Sequence, residues 1–219
     1  MGPVGTTPRH LRRRCWPGGV SWTFAYDALD RLTNVSNSAG LTAPYTYDVL
    51  GARVAKKVNT AVTRFIWRSG HVIYEMTDGG SLTYAYTWGV STDDLIAIHE
   101  YSSGTHYYVV QDKLRSVRGL VTLNGTWQAA WRYRAYGAPL DSAGTWTEGL
   151  RRFRWAGAQY DAETGWYFLR SRHYDPIIGR FVQEDRVGRA GGTNLYLYAD
   201  GAPVEDGTAR VRPRTMMCS

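Results

Sequence analysis

Aromatic positions along this chain recur at a spacing of two. Phe65-Ile66-Trp67, Tyr84-Ala85-Tyr86-Thr87-Trp88, Trp131-Arg132-Tyr133, Phe153-Arg154-Trp155 and Tyr196-Leu197-Tyr198 each place a ring at every second residue. In an extended chain such residues share one face, so the pattern predicts short strands with one aromatic side. Turn chemistry separates the runs: NSAG ending at Gly40, TDGGS at 77–81, SSGT at 102–105, LNGT at 123–126 and SAGT at 142–145. Asn124-Gly125 is the strongest of these hairpin signals. The best helical candidate, DDLIAIHEY at 93–101, has Ile and Leu alternating, which favours a strand. The expectation is an all-β chain of antiparallel hairpins. Residues 1–19, rich in Pro, Gly and Arg, and the basic segment 207–219 carry no strand pattern and read as unstructured tails.

A longer period lies over the alternation. FAYDALDRL at 24–32 is answered by YTYDVLGARV at 45–54, so Tyr26-Asp27 and Tyr47-Asp48 head two copies of one unit. The pair returns at Tyr160-Asp161 and Tyr174-Asp175, each Asp followed four residues later by glycine, Gly165 and Gly179. Bottom-up, this is a building block. The tyrosine rings pack into the sheet with hydroxyls at an edge, the Asp carboxylates cap turns, and Gly51, Gly165 and Gly179 supply positive φ. One such unit cannot bury its own aromatic face, whereas stacked neighbours form a continuous sheet.

Composition agrees. At 43% apolar the chain is long and hydrophobic enough for a sizeable core, and 16 Tyr, 9 Trp and 24 Gly favour β structure with tight turns. The net charge of +7 is carried mostly by Arg, which stacks on rings and pairs with carboxylates. Cys15 and Cys218 have no metal-site spacing. No apolar run approaches the roughly 20 residues needed to cross a bilayer. The basic N-terminus lacks the apolar stretch of a signal peptide.

The motifs resemble the YD-repeat, or RHS, family and its repeat-associated core over residues 21–204. YDALDRLTNV and YDVLGARVAKKV resemble ordinary repeats, and WRYRAYGAPL at 131–140 resembles a core block. YYVVQDKLRSVRGLVTLNG at 107–125 resembles another, with Arg115 where glycine is usual. The most specific stretch is RWAGAQYDAETGWYFLRSRHYDPIIGRFVQED, which includes Arg180 and Phe181. The resemblance implies repeats coiled into a hollow β-shell that encloses a C-terminal toxic or variable segment, with the core closing one end. Teneurins and the C component of Tc toxins are similar. It implies YD-repeat strands over 20–106 and the core over 107–206. The partners implied are neighbouring repeats and the C-terminal segment of a secreted or surface-displayed parent, with no cofactor.

The resemblance also implies one chemistry. Several family members cleave themselves with two aspartates, one protonated as acid and the other ionised as base. Here the first Asp-Pro-x-Gly block survives in part as Asp185-Arg186-Val187-Gly188. The second is absent, and Asp206 is the nearby candidate. The family pattern stops abruptly after it, which predicts a fragment of a larger gene, with sheet edges prone to self-association.

Two binding surfaces are the alternatives. RRFRWAG at 151–157 and FLRSRHY at 168–174 interleave Arg with rings, as a nucleic-acid surface would. Alternation instead puts Arg152 and Arg154 on one side of a half-buried strand, with Phe153 and Trp155 on the other. Trp127, Trp131, Trp146 and Trp166 are the candidates for stacking on glycans. The five histidines fit no metal-ligand pattern. His99 and His106 flank one hairpin turn and read as a facing surface pair.

Overall fold

The computed structural model describes residues 20–145, 147, 149–185, 194–199 and 203, together with the backbone of 10–15. Among the described residues seventeen strands form two antiparallel sheets. The first half of the long sheet is β1 (His10–Cys15), β2 (Ser21–Tyr26), β3 (Leu32–Asn37), β4 (Thr42–Tyr47), β5 (Arg53–Val58), β6 (Ala61–Arg68) and β7 (His71–Thr77). It continues through β8 (Leu82–Trp88), β9 (Leu95–Glu100), β10 (Thr105–Gln111), β11 (Val117–Thr122), β12 (Trp127–Tyr133) and β13 (Pro139–Gly144). Spatial order equals chain order across all 13 strands, so every neighbour is a sequence neighbour. The boundary read from the motifs at 106/107 falls inside β10.

Three expectations are corrected. His10–Cys15, inside the segment read as a tail, is a strand paired with β2 from His10↔Tyr26 to Cys15↔Ser21. SAGT at 142–145 is not a turn: Ser142, Ala143 and Gly144 lie in β13, and the chain reverses at 134–138 instead. Gly144 was ambiguous because glycine serves close backbone approach as well as turns. A Cβ there would sit 2.1 Å from the Gln128 carbonyl oxygen. Finally, Phe153-Arg154-Trp155 is not a half-buried strand. It runs through an isolated bridge, Phe153↔Gln159, into a 3-10 turn at Trp155–Gly157, with both faces buried.

One loop design recurs. In the loops 27–31, 37–41, 48–52, 77–81, 112–116, 122–126 and 134–138, the first residue's N–H donates to the fifth residue's carbonyl. The fourth residue's N–H donates back to the first residue's carbonyl. The fourth position is always left-handed: Asp30, Gly40, Gly51, Gly80, Arg115, Gly125 and Gly137 have φ between 56° and 92°. This is a type I turn closed by a bulge, whose twist matches the flanking strands. Polar first residues tighten it. Asp27, Asp48 and Asp112 each accept from two loop N–H groups through Oδ1, and Asn37 does the same.

Aromatic tips tie each hairpin to its predecessor. Tyr47 Oη donates to the Leu32 carbonyl (2.7 Å) and Trp67 Nε1 to that of Arg53 (2.9 Å). Trp88 Nε1 donates to Val72 (2.7 Å) and Tyr133 Oη to Val117 (2.8 Å). Each of these rings is half-buried against the core while its polar tip remains bonded.

The second sheet comprises β14 (Gln159–Asp161), β15 (Trp166–Leu169), β16 (Arg172–Asp175) and β17 (Arg180–Phe181), again in chain order. It packs on the aromatic face of the long sheet. Trp166 and Val182 join Phe24, Tyr26, Val35 and Tyr45 in one core, and Leu150 and Phe153 join Phe65, Tyr86 and Trp131 in another. A third core, around Trp155, Tyr167, Tyr174 and Tyr198, belongs to the small sheet.

Candidate functional site

The most polar part of the interior is the seam where the small sheet meets the long one. At its centre Arg53, on β5, reaches Asp161 at the end of β14 with two bonds: Nη1 to Oδ2 at 2.5 Å and Nη2 to Oδ1 at 2.9 Å. Nη2 also donates to Gln159 Oε1 (2.8 Å). Lys56 Nζ bridges Asp161 Oδ1 (3.1 Å) and Glu163 Oε2 (2.9 Å), and Tyr45 Oη donates to Glu163 Oε1. Arg53 and Asp161 are both 0% exposed. The guanidinium lies over the rings of Phe168 (4.6 Å), Tyr45 (5.1 Å) and Phe65 (5.5 Å).

This changes the role of one repeat residue. Both copies of the repeat carry an arginine beside the turn, one position out of step: Arg31 is the fifth loop residue, matching Ala52, whereas Arg53 pairs with Tyr47 as Leu32 does with Tyr26. Arg31 closes its own loop on Asp27 at 2.6 Å, whereas Arg53 leaves its loop and crosses to the small sheet. Asp161, grouped with the turn-capping aspartates by sequence, spends its carboxylate on Arg53 and Lys56. Its carbonyl closes the turn instead, accepting from Gly165 N–H (2.8 Å; Gly165 φ 74°). Burial alone pushes the Asp161 carboxyl up, but Arg53 and Lys56 hold it well below its ordinary range. It is a fixed anion, unsuited to donating a proton.

His173, on β16, stacks on Tyr45 and lies tilted against Phe168 beside this cluster, and is fully buried. The His173 backbone N–H donates to Gln183 Oε1 (2.7 Å), which turns the Gln183 amide nitrogen toward the ring Nδ1 (3.1 Å). Nδ1 is thus an acceptor and the ring proton is assigned to Nε2, 3.8 Å from Asp161 Oδ2. Burial, with Arg53 and Lys56 adding to it, lowers the imidazole to about 3, so His173 is neutral.

Further contacts run along the seam. Glu75 Oε1 accepts from Arg152 Nε and Tyr86 Oη, both at 2.7 Å, with the two ionic side chains each 2% exposed. Glu100 accepts from Tyr84, Thr147 and Ser103. Asp93 meets Arg170 at 2.6 Å. Tyr160 lies under Arg154 (4.5 Å), and Tyr174 Oη donates to the Tyr136 carbonyl. Asp175 Oδ1 accepts from Ile177 N–H, and its carbonyl accepts from Gly179. Arg180 pairs with Asp175 in the ladder, and Phe181 is buried under the Arg172 guanidinium at 3.6 Å.

Asp185 lies at the edge of the small sheet. Its Oδ2 is 3.0 Å from Arg172 Nη2 and its N–H donates to the Leu195 carbonyl (2.9 Å). Asp206 falls outside the described residues.

The surface alternatives lose their residues. Arg152 and Arg154 are buried, while Arg170 and Arg172 are paired with Asp93 and Asp185. Trp131 and Trp166 are core residues, and Trp146 lies outside the described residues. Trp127 is exposed, its ring laid across Gly119. Sequence reasoning missed Lys56, Glu75, Gln159 and Glu163 altogether. Arg53 carried a signal, as the arginine repeated after each turn.

Known proteins resemble this chain in sequence and in fold. Residues 17–204 match a family model described as Teneurin YD-shell. The tRNA3(Ser)-specific nuclease WapA of Bacillus spizizenii is 32% identical over 191 residues, covering 84% of this chain and 8% of that protein. Double-stranded DNA deaminase toxin A of Burkholderia cenocepacia is 26% identical over 209 residues, covering 80% of this chain and 14% of that one. The crystal structure of TcdB2-TccC3 has the same fold, with a TM-score of 0.68 at 18% identity over 86% of this chain and 10% of that chain. The chain thus spans 8–14% of the length of these proteins.

Proposed function

This chain belongs to the teneurin YD-shell family, and we propose that it builds the closing section of a β-shell in a larger toxin protein of the RHS type. In this reading the long sheet is a stretch of shell wall whose last strands already belong to the repeat-associated core, and the small sheet of that core closes it. The cargo is a C-terminal toxin or variable segment of the same parent, which is secreted or displayed at the cell surface. Residues 20–106 act as YD-repeat wall and 107–206 as the repeat-associated core. Enzymatic activities named for relatives such as the WapA nuclease would reside in such cargo.

The observation that carries this proposal is a pair of buried ionic anchors: Arg53–Asp161 joins the two sheets, and Glu75–Arg152 ties the long sheet to the segment that leads into the small one. A fully desolvated, bidentate pair fixes one relative placement, because any other leaves a buried charge unmatched. That geometry suits a rigid wall with a fixed closure. Self-cleavage is not part of the proposal, since Asp185 is engaged by Arg172.

The test is a chimera. Residues 17–204 replace the matching segment of the Bacillus spizizenii relative, and protease is added to the folded protein. Retention of an intact C-terminal segment is expected. Digestion as fast as in a parent lacking the segment altogether would refute the proposal.

A further inference from the structure

We propose that Asn124 is a site of spontaneous deamidation, a modification that the β11–β12 loop promotes through Thr122. The chain holds five asparagines, Asn34, Asn37, Asn59, Asn124 and Asn194, and only Asn124 precedes a glycine. The side-chain amide carbon of Asn124 is the electrophile and the Gly125 backbone nitrogen the nucleophile, so both reacting atoms belong to one turn. Glycine has no Cβ to crowd that nitrogen. A Cβ built on Gly125 would meet no atom within 4 Å, so the space beside it is open. The loop stands in water. Leu123 is 79% and Trp127 60% exposed, and the three residues between them are exposed as well.

The hydrogen bonds of the loop activate the amide. Asn124 Oδ1 accepts from the Thr122 hydroxyl, with Thr126 N–H more distant at 3.4 Å. A donor on a carbonyl oxygen stabilises the negative charge that develops there when a nucleophile adds to the carbon. Gly125 N–H donates to the Thr122 carbonyl (2.9 Å) and is freed when the loop tip opens. Such an opening costs little burial, since residues 121–128 include no buried side chain. In the reaction the Gly125 nitrogen gives its proton to solvent and bonds to Cγ, while Nδ2 takes up a proton and leaves as ammonia. The resulting cyclic imide adds water. Breaking the new C–N bond yields aspartate; breaking the original Asn124–Gly125 peptide bond yields isoaspartate, with the main chain routed through the side chain. Either product replaces an amide by a carboxylate. Isoaspartate also lengthens a loop that Thr122 N–H closes on the Thr126 carbonyl (2.9 Å). Asn37 is the internal contrast. Its Oδ1 accepts from Ala39 and Leu41 N–H, both at 3.0 Å, but Ser38 follows it.

Ageing of the full chain in mildly alkaline buffer, followed by peptide mass mapping, tests this beside Thr122→Val and Asn124→Gln. In the wild type the peptide holding Asn124 should gain about 1 Da, the exchange of an amide for a carboxylate. Peptides holding Asn34, Asn37 and Asn59 should keep their mass. Asn124→Gln should lose the gain, because closure from glutamine needs a larger ring. Thr122→Val keeps the shape of the side chain without its hydroxyl and should slow the gain several-fold. Circular dichroism verifies that both variants keep the fold. A gain at Asn124 no faster than at Asn37 would overturn the proposal. So would a gain in Thr122→Val as fast as in the wild type.

Discussion

Replacing Asp161 with asparagine tests the seam most directly. The substitution keeps the shape of the side chain and removes only the charge. Arg53 and Lys56, at 0% and 5% exposure, are then left with Glu163 as their remaining carboxylate. Breaking a buried ion pair by deleting one partner costs about 3–5 kcal/mol, because the surviving charge stays desolvated. For a chain of this size about 1 kcal/mol moves the melting temperature by about 2–4 °C, so Asp161→Asn should melt about 6–20 °C lower. Thermal circular dichroism and urea titration would measure it. A companion variant carrying Asp161→Leu, Arg53→Met, Lys56→Met and Glu163→Gln removes every charge of the cluster. It should recover much of the loss, because hydrophobic replacement of a buried ionic group is often close to neutral. Arg132→Ala serves as the contrast. It breaks a pair with Asp141 that is 66% and 46% exposed, and the melting temperature should not move measurably. A shift below about 2 °C for Asp161→Asn would mean that water or Glu163 already compensates the cations. The anchor argument would then fail.

Three further outcomes follow from the same geometry. His173 is held neutral down to about 3 against an ordinary 6.5, so the unfolded chain binds one more proton between those values. Stability should therefore be intact above pH 6.5 and fall by up to about 1.4 kcal/mol per unit as pH drops toward 3; an unchanged slope in His173→Phe would contradict this. Gly51→Ala meets open space at φ 92° and should cost about 1 kcal/mol of backbone strain. Gly137→Ala adds a Cβ 2.4 Å from the Trp155 ring at φ 83° and should lose at least twice as much in denaturant titration. The purified chain and its Asp185→Asn variant should both show a single full-length mass, and a shortened wild type restored by the substitution would revive self-cleavage.

Much of the architecture was legible in the residues. Alternating rings, the Tyr-Asp units and the Gly and Asn turn positions are local signals. A meander is built from local pairings, so reading each hairpin separately nearly yields the sheet. Arg115 was legible as an oddity in a glycine place, and the structure puts it at φ 64°. SAGT misled because a glycine does not announce whether its freedom serves a turn or a close contact.

What the sequence could not determine was which polar residues lie inside and which partner each one finds. Glu75 sits in HVIYEMT, where strict alternation from Val72 would turn it outward. The register shift between Ile66 and Trp67 puts Val72 opposite Trp67 and Glu75 opposite Phe65, both on the buried face. A bulge resets the face of every later residue in the strand, and no local pattern records it. Arg53 and Asp161 are 108 positions apart. Their pairing exists only because the small sheet returns onto β5, where each charge is the other's main escape from desolvation. Local chemistry was enough to specify the strands and turns. The choice of anchors needed the tertiary structure, because the free energy of a buried charge depends on what the rest of the chain brings beside it.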